Sequence, residues 1–270
     1  MIVLDNVTKE YKGNLIFEKC NFTIPRGKTL LIGPNGIGKT TLLSMIYGLK
    51  TPNSGNISCD SLDSVKDIVK IREKVAYVPA EGDFPLSLTF KDLIDYASCF
   101  ASQDSIDHFI SLLEIEYLLR KYPKNMSSGE RKLTKIALGL SMNRPLIILD
   151  EPLNNIDKRR KHKIIKILDQ EKGDIIMTSH TDEFVFTKHY NLVRIKKVDD
   201  LSISQLFLDE NNKNTFKIRT LNEEKVIEIL REHSFDFEIG DGELTLSDPS
   251  IELFSIIFPY IIEYKRVISN

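Results

Sequence analysis

Residues 28–47 read Lys28-Thr-Leu-Leu-Ile32, Gly33-Pro-Asn-Gly-Ile-Gly-Lys-Thr40 and Thr41-Leu-Leu-Ser-Met-Ile-Tyr47: a short apolar run, a glycine-spaced loop and a second apolar run at helical spacing. A strand that turns through such a loop into a helix is built to hold phosphate. Its glycines let successive backbone N–H groups turn inward toward an anion, Lys39 reaches the β- and γ-phosphates, and the Thr40 hydroxyl is placed for Mg²⁺. Asn35, Gly36, Gly38 and Thr41 complete the expected cradle.

Working outward, Leu146-Ile-Ile-Leu149 and Asp174-Ile-Ile-Met-Thr178 are also apolar without alternation, as strands buried on both faces of a parallel sheet are. Helical stretches separate these runs, so the main unit reads as α/β. The strand at Leu146 ends in Asp150-Glu151, two carboxylates at the tip where ligands of such sheets bind. Beside a phosphate loop, Asp150 is expected to hold Mg²⁺ through a water. Glu151 is expected to polarise the water that attacks the γ-phosphate. Met126-Ser-Ser-Gly-Glu130 precedes a helical run, with Ser127 or Ser128 as its cap and Gly129 opening its first amides to an anion. This is a second phosphate site in one chain, where one nucleotide needs only one.

The first ~25 residues and the segment around Gly55–Ile57 carry β-branched residues and turn signals and predict an antiparallel element beside the sheet. Short helical patterns at 92–97 and 106–113, the second capped by Asp104 or Ser105, place a helical subdomain over about 84–142. After the polar run Asp209-Glu-Asn-Asn-Lys-Asn214 come a strand (215–220), a helix (223–232), two strands around Gly240-Asp-Gly242, a helix (249–258) and a last element through Tyr264. That order is ferredoxin-like. The expected division is 1–205 for the main unit and 206–270 for a small α+β unit.

Among 270 residues the net charge is -2, so there is no whole-chain basic field of the kind nucleic-acid binders show. Cys20, Cys59 and Cys99 are far apart and lack zinc or disulfide spacing, which fits a reducing cytosol. Met1-Ile-Val-Leu-Asp5 lacks a basic n-region. The apolar stretch Ile251–Tyr264 is broken by Glu252, Ser255, Pro259 and Glu263, short of the ~18 apolar residues of a membrane span.

The order GPNGIGKT, MSSGE, LIILDE, NNID and SH over roughly the first 200 residues resembles the ATP-binding cassette (ABC) family. The resemblance implies a P-loop NTPase cassette that binds ATP and Mg²⁺. It also implies a head-to-tail dimer in which Ser127 and Gly129 of one cassette close on the γ-phosphate held by Lys39 of the other. It further matches Tyr11 to the aromatic that stacks on adenine, Asp157 to a loop that signals across the dimer, and His180 to a switch histidine that contacts the γ-phosphate and supports Glu151. Met126, Ser128 and Glu130 depart from the usual Leu-Ser-Gly-Gly-Gln. Ala80 stands where the family places a Gln that joins Mg²⁺ and the membrane partner, with Glu81 beside it.

The implied activity is ATP hydrolysis by a subunit that drives a separate membrane-spanning permease, peripheral on the inner face of the cell membrane and paired with a second ABC subunit as a homodimer or heterodimer. A single cassette with a small C-terminal unit resembles ABC-2 type exporter subunits. The rival readings are a regulatory nucleotide-binding module with little turnover, which Ala80 and Glu130 would suit, and a soluble ABC ATPase acting on nucleic acid or ribosomes. For the latter, tandem cassettes, long coiled coils or a basic arm are expected and none is visible in the sequence.

Overall fold

The computed structural model describes residues 1–82, 84–179, 190–198, 203–208, 215–240, 242–247, 253, 256–257 and 260–267. Along the chain run β1 (Ile2–Tyr11), β2 (Asn14–Ile24), β3 (Lys28–Ile32), α1 (Lys39–Ile46), β4 (Ser54–Cys59), β5 (Leu62–Asp63), α2 (Ile68–Lys74) and β6 (Val75–Val78). Next come α3 (Phe90–Ala97), α4 (Gln103–Leu112), α5 (Ser128–Ser141), β7 (Leu146–Leu149), α6 (Lys158–Gln170) and β8 (Asp174–Ser179). The remaining elements are β9 (Tyr190–Val198), β10 (Ile203–Leu208), β11 (Thr215–Thr220), α7 (Glu223–Glu232), β12 (Phe237–Gly240), β13 (Glu243–Ser247) and β14 (Ile261–Val267).

The three apolar runs become neighbouring parallel strands in a six-stranded sheet of order β10-β9-β3-β8-β7-β6. Only the β9–β10 pair is antiparallel. Because side chains alternate along a strand, each run feeds two cores. Leu30, Ile32, Ile147 and Leu149 face one core, shared with α3, α4, α5 and α6. Leu31, Leu146 and Ile148 face the other, shared with α1 and the antiparallel sheet β2-β1-β4-β5. This layering explains the unbroken apolar runs and sets the glycine loop, Asp150 and Ala80 side by side, since all three follow the C-terminal ends of parallel strands.

The segment 84–142 holds α3, α4, two single 3₁₀ turns (Glu116–Leu118 and Pro123–Asn125) and α5. Ser102, rather than Asp104 or Ser105, caps α4, its hydroxyl accepting the Ser105 N–H at 3.3 Å. The helix starts earlier than the apolar periodicity suggested because its first turn is polar, with Gln103 and Asp104 exposed and the Ser105 hydroxyl donating to the Ser141 carbonyl at 3.0 Å. β10 runs three residues beyond 205, where Leu206 is buried in the second core.

Beyond it, β12-β13-β11-β14 form an antiparallel sheet, the 4-1-3-2 order of a ferredoxin-like unit. The last element is a strand. Ile218, Leu244 and Leu246 pack on Val226, Ile229 and Leu230 of α7 in a separate core. Lys158, the first residue of α6, donates to the Ile261 carbonyl at 3.4 Å and so links this unit to the main one.

Candidate nucleotide-binding and hydrolysis site

The loop between β3 and α1 is shaped by backbone demands. Gly38, the residue before α1, has φ 110° and offers no side-chain cap. A Cβ there would sit 2.6 Å from Ile16 Cγ2, so conformation and space both require glycine. The first amides of α1 have no intrahelical acceptors and point into the loop, an arrangement suited to an anion.

Lys39 is the first residue of α1 and only 5% exposed. Its ammonium donates to the Gly33 carbonyl at 2.6 Å and the Pro34 carbonyl at 3.0 Å, and lies 3.9 Å from Glu151 Oε1. Burial pushes it below the ordinary lysine range, and the Glu151 and Asp150 carboxylates oppose that shift. The cation is therefore positioned and only partly compensated. Thr40, next along α1, is exposed.

Asp150 is fully buried at the end of β7. Its amide donates to the Val78 carbonyl at 2.9 Å and its Oδ1 accepts the Thr178 hydroxyl at 2.7 Å. Oδ2 is buried with no hydrogen-bond partner. An orphaned buried carboxylate oxygen is costly unless something binds it, and hard oxygen donors of this kind suit Mg²⁺. The residues present fit that ion.

Glu151 has φ 47°, in the left-handed region that a non-glycine residue seldom occupies. Its amide donates to Thr178 Oγ1 at 2.8 Å, and its Oε2 accepts the Asn154 side-chain amide. One hydroxyl on β8, that of Thr178, thus serves both carboxylate residues. Nothing in the sequence singled out Thr178, which reads there as one more β-branched residue of a buried strand. Asn154 stood only as a member of NNID, and its bond to Glu151 was not foreseen.

Ser127 caps α5. Its Oγ accepts the Glu130 N–H at 3.1 Å, and Glu130 Oε2 accepts the Ser127 N–H at 2.8 Å, a reciprocal capping box. Burial opposes the Glu130 charge, yet the Ser127 amide and Lys121, 3.0 Å away, hold its carboxyl below the usual range. Glu130, one of the departures from the family pattern, is thereby a structural part of this helix start. At Gly129 a Cβ would lie 2.6 Å from the Asn155 carbonyl oxygen, so α5 and the turn after Glu151 meet backbone to backbone.

The other expected site residues lie apart. Tyr11, 37% exposed at the end of β1, has the Lys9 and Lys50 ammoniums 4.9 and 5.2 Å from its ring centroid. Asp157 caps α6, accepting the Arg160 N–H at 3.0 Å. Among the described residues, no hydrogen bond or ion pair joins Tyr11, Ser127 or Asp157 to the Lys39 cluster. His180 lies outside the described residues. Ala80 is half-buried, and its carbonyl accepts Lys132 Nζ at 3.2 Å; Glu81 is exposed.

With this geometry in view, the chain matches the model of the ABC transporter family over residues 17–154. It is similar to the petrobactin import ATP-binding protein YclP of Bacillus subtilis, 29% identical over 248 residues that cover 84% of this chain and 98% of that protein. The ABC transporter ATP-binding protein YtrB of the same organism is 24% identical over 274 residues, covering 98% of this chain and 89% of its own length. Among solved structures, dimeric MJ0796, a bacterial ABC transporter cassette, superposes with a TM-score of 0.64 at 25% identity, over 72% of this chain and 94% of that one.

Proposed function

This chain belongs to the ABC transporter family as an ATP-binding ATPase subunit, and from that membership we propose how its site works and what it drives. Lys39 and the first amides of α1 hold the β- and γ-phosphates of ATP. Thr40 and Asp150 would hold Mg²⁺, which would neutralise phosphate charge. Glu151 takes the proton of the attacking water, with Asn154 and Thr178 fixing its direction. His180, following β8, completes the γ-phosphate contacts, and Tyr11 stacks on adenine. The observation that carries this reading is convergence: the Lys39 ammonium is 3.9 Å from Glu151, beside an Asp150 oxygen with no partner of its own.

Ser127 caps α5 and, among the described residues, makes no hydrogen bond or ion pair with this cluster, and Gly129 meets the backbone of Asn155 rather than Lys39, which supports their acting on the site of a second subunit in a head-to-tail dimer. That a similar cassette has been solved as a dimer supports pairing of two subunits. We assign the partner as a membrane permease. No helix among the described residues is long and apolar enough to cross a membrane. The exposed Leu86, Tyr96 and Phe100 around α3 are the surface proposed to receive it. The proposed place of work is the cytoplasmic face of the membrane, with residues 1–208 as the cassette, since β10 runs to Leu208, and the residues beyond as the appended unit.

Export is the direction proposed, on the likeness of a single cassette with a small C-terminal unit to ABC-2 type subunits. The import protein YclP, similar over nearly its whole length, favours the opposite direction. Mixing two inactive variants tests the dimer. In a mixed dimer the Lys39→Ala loop of one subunit faces the Ser127→Arg segment of the other, so both lesions fall in one composite site, the second site stays intact, and measurable turnover returns. No recovery at any ratio, together with no ATP-dependent dimer of the wild type, would refute the head-to-tail arrangement. Comparing ATP-driven substrate movement in inside-out and right-side-out vesicles decides the direction.

A further inference from the structure

Two lysines on α5 point back toward the loop after β6. Lys132 is only 7% exposed, and its ammonium donates to the Ala80 carbonyl at 3.2 Å. Lys135, three residues on, donates to the Gly82 carbonyl. Burying a lysine is costly, because an ammonium carries three donors and a full charge that water would otherwise solvate. Here desolvation pushes Lys132 below the ordinary range, and Lys135 adds to that shift. Asp150 and Glu151 pull the other way. Lys132 is thus a buried cation tied to the loop that follows β6, the strand paired with β7, whose end carries Asp150 and Glu151, and it sits on the helix capped by Ser127.

We propose that Lys132 is a positioning residue for ATP hydrolysis, holding the Ala80 loop, which follows the strand paired with β7, against α5 beside the end of β7 that carries Asp150 and Glu151. The proposal rests on the assignment of those two carboxylates above. Its consequence is a rigid path from the α5 start to the hydrolytic cluster of the same chain. A change in the setting of α5 at the subunit contact moves the Ala80 loop with it, through the Lys132 and Lys135 bonds. Stability alone does not account for the residue, since replacing a buried ion by an apolar side chain of similar volume is often neutral or stabilising.

The experiment compares wild type, Lys132→Met, Lys132→Arg and Glu151→Gln in the full chain. It measures kcat and KM for ATP with Mg²⁺, the melting temperature, and hydrogen exchange of a peptide spanning residues 79–82. Lys132→Met is expected to lower kcat by about tenfold or more, since a small displacement of the loop beside the positioned carboxylates is felt mainly in the transition state. KM should change little, the melting temperature should hold or rise, and the 79–82 amides should exchange faster. Lys132→Arg should recover most of the lost kcat. An unchanged kcat in Lys132→Met overturns the proposal, as does a loss that follows a lowered melting temperature without recovery in Lys132→Arg. If Glu151→Gln keeps wild-type turnover, the carboxylate assignment itself fails, whereas its loss beside an unaffected Lys132→Met defeats the lysine proposal alone.

Discussion

Gly129 and Asn155 meet so closely that a single methyl group at the glycine would come within 2.6 Å of the asparagine carbonyl oxygen. The contact ties the first turn of α5 to the turn that follows Glu151. Gly129→Ala gains helix propensity of about 1 kcal/mol, but it forces these two segments apart at an overpacking cost of ~1–3 kcal/mol. The melting temperature should therefore move little, while turnover falls by roughly ten- to a hundredfold, because small displacements of positioned groups weigh heavily on rate. Steady-state ATPase set beside a thermal melt separates the two effects. Wild-type turnover in this variant would show that the contact does not matter to the reaction.

Glu151→Gln removes the group expected to take the proton while leaving Lys39, Asp150 and the loop amides in place. Nucleotide binding should persist and turnover should drop by about 10²–10⁴-fold. The stalled protein should collect as an ATP-dependent dimer on gel filtration. Retention of normal hydrolysis would remove Glu151 from the mechanism.

Thr178 deserves the same scrutiny, since one buried hydroxyl donates to Asp150 and accepts from the Glu151 amide. Thr178→Val keeps the shape and leaves both partners unsatisfied, at about 1–3 kcal/mol for each. A lower melting temperature and a lower kcat are expected together. Thr178→Ser, which keeps the hydroxyl, should restore most of both. If valine were tolerated in melting and in turnover, the hydroxyl would be incidental.

These residues differ in how readable they were. Lys39, Asp150 and Glu151 stood at the ends of apolar runs, where the pattern of a doubly covered parallel sheet marks the ligand-facing tip. Thr178 sits inside such a run, and a buried hydroxyl has the same β-branched outline as valine, so periodicity could not separate them. Lys132 was hidden for the opposite reason: charged residues on a helix are normally solvated, and only the packing of α5 against the Ala80 loop buries this one. The α4 cap was misplaced by a few residues because several polar side chains at 102–105 compete, and the backbone turn decides among them. The β9–β10 hairpin, which closes one edge of the main sheet, went unread for its mixed polar and apolar sequence.

The Ala80 loop is where this chain departs most from its family, and its geometry sharpens what substitutions there should do. The carbonyls at 80 and 82 are held by Lys132 and Lys135, whereas the Glu81 side chain is exposed and has no described partner. A glutamate in that setting is open to contact with another subunit. Glu81→Ala should then leave basal hydrolysis close to wild type and weaken stimulation by the membrane subunit. Ala80→Gln adds an amide able to reach Mg²⁺ or the attacking water, and it should raise basal turnover several-fold without tightening ATP binding. ATPase assays of both variants, with and without the membrane partner, check the pair of expectations. A drop in basal turnover for Glu81→Ala would mean that the carboxylate turns inward during hydrolysis. No response from either variant would show that nucleotide and partner communicate through another part of the cassette, with the Gly129–Asn155 contact the next place to look.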